Sequence, residues 1–348
     1  MTAGNIKSGN GEVKLITMPV GSGGKATKAL INSLLLPRFG NSKLNDLGDG
    51  ALLDLGQEKI AFTTDSFVVS PLFFPGGSIG DLAVNGTVND LAACGASPVA
   101  LSLSLILEEG FPFGVLEGIL DSVERSLAKA GVEIVTGDTK VVERGKADGC
   151  YINTSGIGII HENARNLAPK NIKAGDEIII TGPIGDHGTA IMLERGGLGI
   201  EAAVASDTAA LSGPIGALMA QYGLSVHAMR DPTRGGLATV LNEMAESSNV
   251  GIEVEEAAIP VRNEVRAVAE LLGIDPLYIA SEGRMVIFAD SDETDGILKT
   301  LRAYPECGDT AAIGRAVADH PGFVLQNTSF GGQRIIDLLT GDPLPRIC

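Results

Sequence analysis

The chain has 348 residues, about two to three times the usual single-domain length, so two folding units are expected. Apolar residues make up 44% and charged residues 20%, a folded rather than a disordered composition. Acidic residues outnumber basic ones by 43 to 26, and the resulting charge of −17 excludes sequence-independent nucleic-acid binding through Lys and Arg.

Residues 1–24 are polar and end in Gly21-Ser22-Gly23-Gly24, an arm or loop. Residues 25–36 read as a short helix stopped by Pro37. The β-formers of 59–69 predict a strand, and 78–94 a helix closed by Gly95. Leu101, Leu103, Leu105 and Leu107 alternate with mostly serine, which predicts a strand over 99–107 with one buried face. In 115–130, Leu116, Ile119, Leu120, Val123 and Leu127 recur at helical spacing, and Gly131 caps them. Strands at 132–136 and 151–160 close this unit. Residues 161–175 have little apolar periodicity and mark a boundary. The second unit reads as strands at 177–181, 225–229, 251–254, 284–289 and 310–317. Its helices read as 189–195, 214–222, 236–247, 261–272 and 293–303. There is no short-period repeat. The last residues, Gly341-Asp342-Pro343-Leu344-Pro345-Arg346-Ile347-Cys348, carry two prolines that predict an extended tail. The expected organisation is α/β (α+β): an arm at 1–43, an N-terminal domain at 44–162, a C-terminal domain at 163–335, and a tail at 336–348 carrying Cys348.

No window approaches the roughly 18 apolar residues a membrane span needs. Met1 to Asn10 is polar, without the apolar region of a signal peptide. Cys94, Cys150, Cys307 and Cys348 are far apart and form no CxxC, so a reducing, cytosolic compartment is expected. The 46 glycines are about twice the average share and sit in short clusters between apolar runs, a sign of many turns.

Aspartates recur at or just after predicted element ends: Asp49 in Gly48-Asp49-Gly50, Asp65 in Thr64-Asp65-Ser66, and Asp138 in Gly137-Asp138-Thr139-Lys140. Asp90 lies inside the 78–94 helix, on the face of Ile79, Ala83 and Gly86. That face is small and apolar, so the carboxylate aims inward, which is costly unless it is paired or metal-bound. Converging carboxylates would suit Mg²⁺, a hard cation that arrives with phosphates. The alternative is a set of turn and cap aspartates. Gly182-Pro183-Ile184-Gly185-Asp186-His187-Gly188 is either an anion-holding loop or a tight turn, and it matches neither standard nucleotide loop. In Arg230-Asp231-Pro232-Thr233-Arg234-Gly235-Gly236, Thr233 is a candidate helix cap. The two arginines there either meet phosphate or form internal ion pairs. Glu282, by itself, reads as a solvated loop acid. Lys140 is equally ambiguous, and the four histidines form no metal-spacing cluster. Cys94 reads as core packing. Cys348, on a proline-stiffened end, either swings into a site or is an accidental terminal thiol.

Taken together these motifs carry a resemblance. Gly21-Ser22-Gly23-Gly24-Lys25, Thr64-Asp65-Ser66-Phe67-Val68, Pro71 to Gly77, Leu82 to Ala92, Thr136 to Val142, Gly185-Asp186-His187-Gly188, Arg230 to Gly236 and above all the terminal Pro345-Arg346-Ile347-Cys348 resemble the HypE family of hydrogenase maturation factors. That family belongs to the PurM-like (aminoimidazole-ribonucleotide-synthetase-like) superfamily. The resemblance runs from about residue 15 to the end. It implies a two-domain PurM-like fold whose N-terminal domains pair across a homodimer.

The activity implied is an ATP-dependent carbamoyl dehydratase. The carbamoyltransferase HypF would place a carboxamide on Cys348. ATP would drive its conversion to a thiocyanate, and the cyano group would pass to iron on the HypC–HypD complex and end as a ligand of the [NiFe] centre. By the same resemblance Cys348, Glu282 and Lys140 are the catalytic residues. Gly23, Lys25, Asp65, Asn89, Asp90, Asp138, Thr139 and Asp231 are expected to hold ATP. Asp49, Asp65, Asp90, Asp138 and Asp231 are expected to hold Mg²⁺. A selenophosphate synthetase would need a reactive Cys in the loop at 21–25, which has none. A thiamin-monophosphate kinase would have no use for the cysteine tail. A non-catalytic scaffold presenting Cys348 would need no aspartate set.

Overall fold

The computed structural model describes residues 24–56, 58–164, 167–196, 199, 202–339 and 346–348. Among the described residues the main chain forms two large sheets, one in each half.

The chain enters through α1 (Gly24–Leu30), a π-helical stretch (Ile31–Leu35) and α2 (Leu36–Phe39). Pro37 therefore does not stop the helix as its sequence predicts. It sits in the first turn of α2, where its missing N–H is no loss, and the wider π turn before it relieves the clash. Next come β1 (Ala51–Asp54), β2 (Lys59–Phe67), a small hairpin of β3 (Phe73–Phe74) and β4 (Gly77–Ser78), and α3 (Ile79–Ala93). β5 (Ala96–Glu108), α4 (Phe113–Ala130), β6 (Glu133–Val142) and β7 (Cys150–Ile160) complete this half. The five-stranded order is β1-β2-β7-β5-β6, with only β5 and β6 parallel.

One face of this sheet carries Ala61, Phe67, Leu101, Leu105 and Ile152, packed in the same clusters as α3 and α4. The other face is open. It bears Phe62, Ile106, Ile157 and Ile159, each at least 40% exposed. Ser78 caps α3 by accepting the Gly80 N–H at 3.1 Å, and Gly131 ends α4 in the left-handed conformation.

The second half contains β8 (Glu177–Ile180), α5 (Asp186–Glu194), α6 (Ser212–Tyr222), β9 (Val226–Arg230), α7 (Gly236–Ser248) and β10 (Gly251–Glu255). It continues through α8 (Asn263–Leu272), β11 (Val286–Ala289), α9 (Thr294–Arg302), β12 (Ala311–Val317), β13 (Val324–Asn327) and β14 (Gln333–Ile336). The seven-stranded order is β14-β13-β10-β12-β8-β11-β9. Ile178 and Ile180 pack with α7, while Ile179 between them packs with α6 and α9. Burial on both faces is why β8 reads as an unbroken apolar run.

The two halves meet along α3. Asn85 Nδ2 donates to Thr208 Oγ1 at 3.1 Å, and Asn89 Nδ2 to the carbonyls of Ala209 and Glu282 at 3.0 and 3.2 Å. No helix among the described residues is long and apolar enough to cross a membrane.

Candidate active site

Carboxylates gather where the two halves meet. Asp65 lies inside β2, not at its end, on the face turned to α3. A Cβ at Gly86 would stand 3.7 Å from its Oδ2 and 3.0 Å from the Phe67 ring, so the glycine leaves room for both. Asp90, in the last turns of α3, accepts a hydrogen bond from Thr63 Oγ1 at 2.7 Å. The same hydroxyl lies 2.8 Å from the Asp49 carbonyl and ties in that loop. Asp49 pairs with Arg230 at 2.8 Å, and Arg230 also pairs with Glu243. Asp231 follows directly.

Burial raises the pKa of Asp49, Asp65, Asp90 and Asp231, and for the last three the neighbouring aspartates add to it. Asp90 is held well above the carboxylate range by burial and by Asp231, Asp65 and Asp49. Asp231 is pushed up to about 8 by burial and by Asp49 and Asp65. The cations facing them are Arg230 and Arg234, and they offset this only in part.

The chain end closes the same place. Cys348 is buried, and Arg234 Nε donates to its Sγ at 3.3 Å. Its main-chain carboxyl oxygen accepts the Val68 N–H at 3.1 Å. The Arg346 carbonyl accepts from Ser70 N–H at 3.3 Å and Arg195 Nη2 at 2.5 Å. The Arg346 side chain bonds the Val68 carbonyl and pairs with Asp148. Ile347 joins the apolar cluster of Phe67, Val69, Ile191 and Ile279. The tail is not extended throughout as its prolines predict, because Arg346 adopts φ +59° and turns the last residues inward; Pro343 and Pro345 lie outside the described residues.

Glu282, which local sequence reads as a solvated acid, is only 3% exposed. Its N–H donates to Asp207 Oδ1 at 3.0 Å, and its carbonyl accepts from Asn89. Its Oε1 has no hydrogen-bond partner among the described residues. Burial, Asp231, Asp207 and Asp65 hold its pKa well above the usual range, with Arg234 opposing. Burial and Glu282 in turn push the Cys348 thiol up to about 12.

Residues 47–160 match the N-terminal domain of the AIR synthase related protein family, and residues 173–326 match its C-terminal domain. The carbamoyl dehydratase HypE of Bradyrhizobium diazoefficiens is 48% identical over 328 residues, 94% of this chain and 94% of its own. This chain belongs to the carbamoyl dehydratase HypE family. Solved structures of hydrogenase maturation protein HypE share the fold. One in complex with HypF aligns at TM-score 0.85 with 43% identity, covering 89% of this chain and 100% of that one. Another, in complex with ATP, aligns at TM-score 0.80 with 44% identity, covering 95% and 99%.

Not every residue expected from the HypE resemblance reaches the cleft. Asp138, Thr139 and Lys140 lie within β6 rather than after a strand. Asp138 pairs in register with Ser104, which pairs with Asn153, which pairs with Ser66. That row is on the open face, opposite to Asp65 and three strands away. There Lys140 Nζ pairs with Asp138 at 2.6 Å, which lowers the Asp138 pKa. Within one copy of the chain, the cation facing Glu282 is Arg234.

Asn89 is no free ligand either. Its amide engages Ala209 and Glu282, and its Oδ1 accepts the Leu211 N–H at 2.8 Å, so it braces the cleft. Lys25 pairs with Asp337 at 2.9 Å on the surface. Gly23 lies outside the described residues. Thr233 does not cap α7; Gly235, at φ +75°, precedes that helix without a side-chain cap. The N–H groups of Ile184, Gly185 and Gly188 bond Pro260, Ser281 and Ala280, so the loop at 182–188 is a tight turn and not an anion cradle. His187 in that loop is a residue sequence reasoning left without a role. Its Nε2 lies 2.5 Å from the Ile347 carbonyl.

Proposed function

We propose that this protein converts a carboxamide on the Cys348 sulfur to a thiocyanate, using ATP and releasing ADP and phosphate. The product would supply the cyanide ligand of a [NiFe] hydrogenase. The observation that carries this reading is the docked chain end, whose sulfur is held by Arg234 and faces Glu282, at the edge of the carboxylate cluster.

The chemistry follows from charge. A buried thiol pushed up to about 12 stays protonated and is a poor nucleophile. Carbamoylation by HypF therefore takes place with the tail outside, where the thiol returns to its ordinary range of about 8.5. Once modified, the sulfur carries an uncharged carboxamide, which enters the slot without the cost of burying a thiolate. The carboxamide oxygen attacks the γ-phosphate of ATP, ADP departs, and phosphate then leaves as the C≡N bond completes. The nitrogen gives up two protons in the process. Glu282, held basic by its neighbours and with one oxygen unpartnered, is the group to accept them one at a time, handing the first to the departing phosphate group before taking the second. Arg234 fixes the sulfur beside it.

The acid cluster fits Mg²⁺. Asp49, Asp65, Asp90 and Asp231 are oxygen donors that repel one another, with only partial relief from Arg230 and Arg234. Bound there, Mg²⁺ would screen ATP phosphates from an acidic chain. The open face of the first sheet, with Phe62, Ile106, Ile157 and Ile159 exposed, supports pairing of two copies. Asp138 and Lys140 share that face, so pairing sets them at the seam between copies. HypC–HypD is the proposed acceptor of the cyano group.

The test is the mass of the C-terminal peptide after incubation with HypF, carbamoyl phosphate and Mg·ATP. The peptide gains a carbamoyl group and then loses one water. Cys348→Ala folds, binds ATP and shows neither change. A thiocyanate adduct on Cys94, Cys150 or Cys307 contradicts the proposal.

A further inference from the structure

We infer that His187, fixed in place by Ser206, is a positioning residue that registers the Cys348 sulfur against Glu282. This rests on the reaction proposed above and adds to it the device that sets the tail.

His187 is fully buried and its ring stands edge-on to Phe74 at 5.4 Å. The Ile347 carbonyl can only accept, so the Nε2 facing it at 2.5 Å must carry the proton. The Nδ1 of the neutral ring is then an acceptor. It lies 2.8 Å from Ser206 Oγ, which donates to it and accepts the Thr208 N–H at 3.1 Å. Burial keeps the ring neutral, lowering its pKa to about 4, so this single pattern persists at neutral pH. Ser206 is held by its own N–H on the Pro75 carbonyl at 2.7 Å. A Cβ at Gly76 would stand 2.6 Å from the Ser206 carbonyl, so the turn at Gly76 and this loop are in close contact.

The residue after Ser206 is Asp207, whose Oδ1 accepts the Glu282 N–H. Two successive side chains of one loop thus hold the tail, through His187, and the proposed base, through its peptide. The next two residues brace the loop on α3: Thr208 Oγ1 accepts from Asn85, and the Ala209 carbonyl from Asn89. A one-residue tail offset would move the sulfur by about 3.3 Å, beyond reach of the base. Besides Arg234 on the sulfur itself, the bond to the Ile347 carbonyl is the grip closest to Cys348 made by a side chain of the second domain among the described residues.

Iodoacetamide alkylation of Cys348, followed by mass spectrometry of the C-terminal peptide, reads docking without any turnover. In the wild type the docked thiol reacts slowly. His187→Phe should raise the Cys348 rate about tenfold, the scale of one lost buried hydrogen bond, while Cys150 and Cys307 stay protected. His187→Gln, which can offer an N–H, should restore most of the protection. Ser206→Ala leaves the core intact and frees the ring, so its rate should lie between. In turnover assays the His187→Phe tail should still accept the carbamoyl group but lose water slowly.

An unchanged Cys348 rate in folded His187→Phe, or Gln no better than Phe, overturns the inference. If His187→Phe does not fold, an unchanged rate in Ser206→Ala does so. Failure of the underlying reaction looks different: wild-type Cys348 is protected, yet its carboxamide loses no water with Mg·ATP.

Discussion

Asp231 ties the site's charge to the stability of the chain. Its folded pKa is raised to about 8, whereas an aspartate in an unfolded chain titrates near 3.9. Between those values the folded protein keeps a proton that the unfolded chain has released. Stability is therefore full below the lower value, falls as pH rises through the window, and levels off above the upper one. Without Mg²⁺ the melting temperature should drop between about pH 5 and pH 8, and Asp231→Asn should flatten that drop. Added Mg·ATP should stabilise the wild type most at the alkaline end, where the carboxylates are ionised, and the Asn variant least. Thermal melts in chelator and in Mg·ATP measure both, and an equal pH slope in the two proteins would remove Asp231 from the cluster. The sequence pointed at Asp90 through the small apolar face around it, and at Cys348 through its place at the chain end. Glu282 gave no such sign, because Asp207 and Asn89, which bury it, come from 75 and 193 residues away.

Among the elements, those with strong apolar periodicity were legible to within a few residues. α3, α4, α7 and α8 are examples, each marked by a cap, a glycine or a clear stripe. β6 was not. Its second half, Gly137 to Val142, lies at a sheet edge and is mostly exposed, so no alternation distinguishes it from a turn. Asp138 and Lys140 lie inside that strand, on the open face, and not just after a strand end. β13 and β14 escaped notice for a related reason, being four-residue strands beside a sheet edge. The open face carries its own prediction. Ile157 pairs in register with Phe62 at its apolar end, so Ile157→Lys should convert dimers to monomers in sedimentation while the melting temperature stays within a few degrees. A wild-type protein already monomeric at micromolar concentration, or a variant that remains dimeric, would contradict pairing through this face.

For the whole molecule, the two halves are joined by buried polar contacts along α3, and the chain end is the third component of the cleft. The docked tail seals its own thiol from solvent, and in the proposed reaction that seal divides the work: the modification would be received outside and dehydrated inside. The arrangement demands a base at the docked sulfur that plays no part in loading it. Glu282→Gln keeps the shape and the hydrogen-bonding capacity of that side chain and removes the base. The measurement is a time course of the carbamoylated C-terminal peptide of this variant after Mg·ATP is added, followed by mass. The variant should bind ATP and accept the carbamoyl group as the wild type does, then lose water at least about 100-fold more slowly, the usual loss for a missing general base. Thiocyanate formed at the wild-type rate in Glu282→Gln would contradict the account.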